Sequence, residues 1–101
     1  MRAADIRRVR ETGRDLRGER VILCVAPGSG RCAVIATRRV GSAVERNRAR
    51  RILRAAWRAL EPEVEGAGDV VLVARPAIRG AKTQDLVAEM NGLLQREGRR
   101  P

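Results

Sequence analysis

Apolar residues change their spacing repeatedly along this chain, and each change marks an element. Ile6 and Val9 give residues 3–12 one apolar side, which predicts a short helix that Gly13 is placed to end. Segments 20–26 (RVILCVA) and 31–37 (RCAVIAT) are rich in β-branched residues and flank Pro27-Gly28-Ser29-Gly30, which predicts a β-hairpin. The simplest register pairs Ala26 with Arg31 and Cys24 with Ala33, sending the thiols of Cys24 and Cys32 to opposite faces. Ser42 and Glu45 fit a capping box, in which a hydroxyl and a carboxylate satisfy the free amides of a helix start. The helix should run from Ala43 to Leu60, closed off by Pro62. Residues 61–68 (EPEVEGAG) read as an acidic, glycine-containing loop. Val70 to Ala74 form a continuous apolar run of the buried-strand kind, broken by Arg75-Pro76. A last helix spans about Gln84 to Glu97, with Leu86, Val87, Met90, Leu93 and Leu94 on one stripe. The residues near Arg38–Val40 leave a third short strand open. The order α-β-β-(β)-α-β-α implies an α+β fold, a small sheet packed by helices in one domain, residues 1–101.

The middle helix carries the most informative pattern. At about 100° per residue, Ala49, Ile52, Leu53, Ala56 and Leu60 share roughly a third of its circumference, a face that docks on the sheet. Arg46, Asn47, Arg50, Arg51, Arg54 and Arg58 take the opposite side, with Arg48 at its edge and Trp57 at the boundary. Solvated helix faces usually mix signs through i,i+4 pairs. Here no acid stands between Arg46 and Arg58, so like charges one turn apart repel unless an anion binds them. Arginine grips phosphate oxygens bidentately and stacks on bases. Asn47 adds a donor and an acceptor, suited to a base, a ribose hydroxyl or a metal's water, or else to its own backbone.

Composition sharpens this picture. The chain of 101 residues carries a net charge of +10, yet residues 1–60 alone hold 16 basic and 5 acidic side chains. A GC-rich coding sequence accounts for an arginine bias, but not for this segregation of charge, which is the footprint of a nucleic-acid binder. Trp57 is the only aromatic residue. No apolar run approaches the roughly 20 residues of a membrane span, and the N-terminal residues lack a signal-peptide core, so the expected location is cytoplasmic. With no histidine and no paired cysteine motif, no zinc site is expected, and both cysteines read as small core residues. No nucleophile is paired to a base and no carboxylates cluster in sequence, so no protein-only active site is expected.

Residues 36–54 (ATRRVGSAVERNRARRILR) resemble the signature of the bacterial ribonuclease P protein component: a basic pair, Gly, Ala-Val, an Arg-Asn-Arg triplet, a second basic pair and a further Arg. Asp5-Ile6, Val9 and Gly13 resemble that family's first helix, and Asp69-Val70-Val71 with Ala74-Arg75-Pro76 its last strand. The resemblance implies a left-handed βαβ crossover carrying the arginine helix, against the usual right-handed rule. It also implies a subunit that binds a catalytic RNA and precursor tRNA and assists Mg2+-dependent endonucleolytic removal of the 5′ leader. The Mg2+ would act through the RNA, and the protein would be monomeric without it. Carried over, Arg38, Arg39, Arg46, Asn47, Arg48, Arg50, Arg51 and Arg54 would bind RNA, while Ile6, Val9, Arg10, Cys24 and Thr37 would form the leader cleft.

The chain departs from the family where aromatic rings usually stand, at Ile6, at Arg10 and near Cys24. Without Phe or Tyr it cannot stack leader bases there, a contact worth about 1–3 kcal/mol per base. Two other readings of the same residues are a general RNA-binding or ribosome-associated module and a DNA-binding regulator. The element order is not a helix-turn-helix, zinc finger or basic zipper, which weighs against the latter.

Overall fold

The computed structural model describes residues 1–63 and 68–97. Helix α1 (Ala3–Thr12) leads into β1 (Arg14–Arg17) and β2 (Val21–Ala26), then β3 (Cys32–Ile35), helix α2 (Ala43–Leu60), β4 (Asp69–Ala74) and helix α3 (Thr83–Arg96). Helices α1 and α2 match the expected bounds, and α3 begins and ends one residue early. Part of the expected loop at 61–68 lies outside the described residues; Glu61–Glu63 form a single 3-10 turn.

The sheet order is β1-β2-β4-β3. This overturns the expected hairpin, because β2 and β3 are not neighbours. Strand β4 lies between them, antiparallel to β2 (Cys24 opposite Val71) and parallel to β3 (Cys32 opposite Val70). The physical reason is burial: β4 is apolar on successive positions, and a strand apolar on both sides is satisfied only at the centre of a sheet covered on both faces. The missing strand lies at Arg14–Arg17, paired antiparallel to β2. Arg38–Val40 is a turn, held by the Val40 amide donating to the Thr37 carbonyl at 3.0 Å.

The two sheet faces carry two cores. On one, Val21, Leu23, Val25, Val70 and Leu72 meet Ile52, Leu53, Ala56, Trp57 and Leu60 of α2 and Leu86, Met90 and Leu94 of α3. On the other, Val9 of α1 covers Cys24, Ala26 and Val71. Cys24 and Cys32 do face opposite sides, although through a different register from the hairpin one. Burial pushes the Cys24 thiol up to about 12, and burial pushes that of Cys32 up to about 11.

An ion network fastens α1 to the sheet. Asp69, fully buried at the start of β4, accepts from the Arg31 amide at 3.0 Å, from Arg31 Nη2 at 3.1 Å and from Arg8 Nη2. Arg31 also reaches Asp5 of α1 at 3.4 Å. A buried carboxylate is tolerated only when its lone pairs are satisfied in this way. The Arg31 amide and guanidinium, with Arg8 behind them, hold the Asp69 carboxyl down at about 2.

Candidate nucleic-acid interface

The interface begins at the start of α2. The capping box is formed: the Glu45 amide donates to Ser42 Oγ at 3.2 Å, and the Ser42 amide donates to Glu45 Oε1 at 3.0 Å. Gly41 precedes it with φ 141°, and a Cβ there would collide with the Glu45 carboxylate. Only glycine admits this entry angle, so it sets how α2 leaves the 37–40 turn. The same Ser42 amide bond, with the Ser42 side chain and the Arg79 charge behind it, lowers the Glu45 pKa.

From that start, the apolar face docks as expected: Ala49, Ile52, Leu53, Ala56 and Leu60 are all buried. Trp57 is buried with them, 5% exposed, rather than lying at the boundary. Its ring belongs to the core and offers no stacking platform beside Arg46 and Arg50.

The arginines divide into two groups, a division that periodicity alone does not reveal. Arg46, Arg48 and Arg50 are half-buried, and each donates to a backbone carbonyl. Arg46 Nη1 reaches Gly41 at 2.8 Å, Arg48 Nη2 reaches Ala81 at 2.7 Å and Arg50 Nη2 reaches Ala36 at 3.3 Å. Arg50 Nη1 also donates to Asn47 Oδ1 at 2.7 Å. Asn47 therefore serves a neighbouring side chain, not the backbone, and its amide nitrogen stays available on an exposed residue. Arg51, Arg54 and Arg58 are exposed, as are Arg38 and Arg39 in the preceding turn. Among the described residues, no arginine of α2 forms an ion pair.

Beside this turn lies an open cleft of about 250 Å³, lined by Arg10 of α1, by Ile35, Thr37 and Arg39, and by Val73, Ala74, Arg75 and Pro76 at the end of β4. Two of the five expected cleft residues, Arg10 and Thr37, line it. Val9 and Cys24 do not: both are fully buried where α1 meets the sheet, so they support the cleft wall from beneath. Ile6 is half-buried in the same cluster. Arg75 was not anticipated. Its signal was its place just after an apolar strand, and its Nη1 is anchored on the Gly18 carbonyl at 2.9 Å.

Fold and site together define a class: small α+β proteins that lay a polycationic helix on a mixed four-stranded sheet beside an arginine-rimmed cleft. The comparisons with known proteins make the class specific. Residues 1–98 match the Ribonuclease P family, and the chain belongs to that family. It is 42% identical over 98 residues to the ribonuclease P protein component of Chloroflexus aggregans, covering 93% of this chain and 73% of that one. It is 35% identical over 94 residues to that of Herpetosiphon aurantiacus, covering 90% and 76%. Its fold is similar to the Staphylococcus aureus RNase P protein, with a TM-score of 0.82 at 16% identity, covering 100% of this chain and 95% of that one. The Thermotoga maritima RNase P protein gives 0.78 at 18% identity, covering 95% and 94%. Membership carries a subunit role in tRNA processing within an endoribonuclease, and with it partnership with the ribonuclease P RNA. Among the described residues, no helix is long and apolar enough to cross a membrane.

Proposed function

We propose that this chain binds the catalytic RNA of ribonuclease P and precursor tRNA, and assists Mg2+-dependent endonucleolytic removal of the 5′ leader in the cytoplasm. The observation that carries this reading is the arginine face of α2. Its cations lack carboxylate partners among the described residues and stand on a capped helix, and Arg39 of the turn before it lines an open cleft. Like charges at one-turn spacing are stable when an external anion is present, and a phosphate backbone supplies a row of them.

Arg51, Arg54, Arg38 and Arg39 would take phosphates of the catalytic RNA. Arg46, Arg48 and Arg50, already oriented by backbone carbonyls, would offer their remaining N–H groups at lower entropic cost. The leader would lie in the cleft beside Arg10, Thr37 and Arg39. Mg2+ would be held by the RNA and would supply the hydrolytic chemistry when bound. The protein's residues fit that division of labour, since Asp5 and Asp69 are taken up by Arg8 and Arg31.

Reconstitution with the host's ribonuclease P RNA and a precursor tRNA tests the proposal. Adding the protein should lower the Mg2+ concentration needed for leader removal. An unchanged Mg2+ requirement, with no protein–RNA complex formed, would refute it.

A further inference from the structure

Among the described residues, strand β3 is an edge of the sheet. Helix α2 packs against it, and residues of its last two turns line a cavity together with that edge. Between helix and edge is an open cavity of about 260 Å³, lined by Cys32 and Val34 of β3 and by Arg54, Trp57, Arg58 and Glu61. It opens on the sheet face opposite the one α1 covers, so it is separate from the cleft beside α1. Cys32 and Val34, half-buried against the α2 core, and the buried Trp57 give it an apolar side. Its rim is charged. Arg54 and Arg58 stand one turn apart on the exposed side of α2, with no ion pair among the described residues. Glu61 lies at the far end, at the C-cap of α2.

A partly apolar cavity with two cations at its rim, unpaired among the described residues, suits one chemistry. A planar base would lie against its apolar side, and its phosphate would meet the guanidinium forks. The cavity is below the roughly 300 Å³ at which pockets for drug-sized ligands begin, which suits one base better than a larger molecule. A paired base cannot enter, because its edge is occupied and its neighbours are stacked. We infer that the cavity between α2 and the β3 edge is a subsite for one unpaired nucleotide of the RNA partner, its phosphate on Arg54 and Arg58 and its base against Cys32, Val34 and Trp57. Glu61 accepts hydrogen bonds and donates none, so it selects a base edge that carries N–H groups. The inference rests on the proposed function and extends the RNA surface beyond the 38–54 segment to Arg58 and Glu61.

Cys32 gives the test a built-in reporter, and the fully buried Cys24 reports any unfolding. The full chain is treated with iodoacetamide at mildly alkaline pH, with and without the ribonuclease P RNA in Mg2+ buffer. RNA should slow alkylation of Cys32 severalfold while Cys24 stays unmodified in both samples. Arg58→Ala should weaken RNA binding roughly tenfold and reduce the salt slope by about one, with an unchanged melting temperature. Glu61→Ala separates specific contact from simple charge. Removing a negative charge tightens any purely electrostatic binding to phosphate, so weaker binding by this variant supports a base contact and tighter binding overturns it. Equal Cys32 reactivity in free and RNA-bound wild type overturns the subsite and leaves the proposed function standing. If wild type binds no RNA at all, the proposed function fails and this inference with it. Protection of Cys32 that grows with protein concentration in the absence of RNA would mark a self-association face, and also overturns the subsite.

Discussion

Arg50 Nη1 donates to Asn47 Oδ1 at 2.7 Å, linking two residues one turn apart on the exposed side of α2. The same guanidinium reaches the Ala36 carbonyl at the end of β3. Arg50 is thus a bracket between helix and sheet edge as well as a cation. Helix periodicity alone implies that Arg46→Ala or Arg50→Ala impairs RNA binding without unfolding the domain, or even stabilises it by relieving repulsion. The geometry changes that expectation. Arg50→Ala should lose about 1 kcal/mol of stability with its half-buried carbonyl contact, along with RNA affinity. Arg51→Ala, exposed and without a described hydrogen bond, should stay within about 0.5 kcal/mol while losing comparable affinity. Thermal melts beside filter binding separate the two; equal melting temperatures for both variants would show that the Ala36 contact is idle.

Acid should loosen α1 before it melts the helix core. Asp69 is held at about 2, well below the ordinary carboxylate value, first by the Arg31 amide and guanidinium and then by Arg8. A folded-state pKa below the unfolded one gives stability that is complete above the ordinary carboxylate range and is lost as pH falls toward 2. Asp5, lowered chiefly by its bond from the Arg2 amide, adds to the same window. Melting temperature followed from pH 5 to pH 2 should therefore decline. Asp69→Asn should be less stable at pH 5 and should flatten the decline; a parallel curve would remove Asp69 as its cause.

The entry to α2 depends on Gly41 more than on any neighbouring arginine. Its φ of 141° and the Glu45 carboxylate packed against it leave no room for a side chain. Gly41→Ala should cost about 1–3 kcal/mol through backbone strain, and Ser42→Ala about 1 kcal/mol through the lost cap. Both variants should weaken RNA binding although neither removes a charge. Circular dichroism melts and RNA titrations check this, and a Gly41→Ala variant as stable as wild type would contradict it.

Legibility in the sequence followed the strength of local signals. The bounds of α2 were readable because a capping box, an apolar stripe and Pro62 agree on one answer. Segments 20–26 and 31–37 form a hairpin only if sequence neighbours are sheet neighbours, and β4 stands between them. The run Val70-Val71-Leu72-Val73 held the correction, since a strand apolar on both sides needs strands and helices around it and claims the central place. Strand β1, Arg14–Arg17, is short and polar and gave no periodic signal; it exists because β2 offers it an edge. In the site, charge periodicity showed which arginines face outward. It could not show that Arg46, Arg48 and Arg50 spend donors on Gly41, Ala81 and Ala36, because those carbonyls come from separate segments brought together by folding.

The cleft itself carries the last prediction. Where the family resemblance implies an aromatic ring, this chain presents Arg10, which lines the cleft together with Arg39 and Arg75. Guanidiniums there would hold a leader by its phosphates, and the half-buried Ile6 and buried Val9 offer no flat ring for a base. Leader binding should then be largely independent of base sequence and fall steeply with salt, since each phosphate contact releases counterions. Precursor tRNA should bind the reconstituted enzyme only modestly better than mature tRNA. Arg10→Ala should erase much of that difference and lower the salt slope by about one, while binding of mature tRNA stays unchanged. Arg10→Phe should restore base selectivity by supplying a stacking ring, worth about 1–3 kcal/mol per base. A large leader preference in the wild type that survives high salt and varies with leader sequence would show that the cleft reads bases after all.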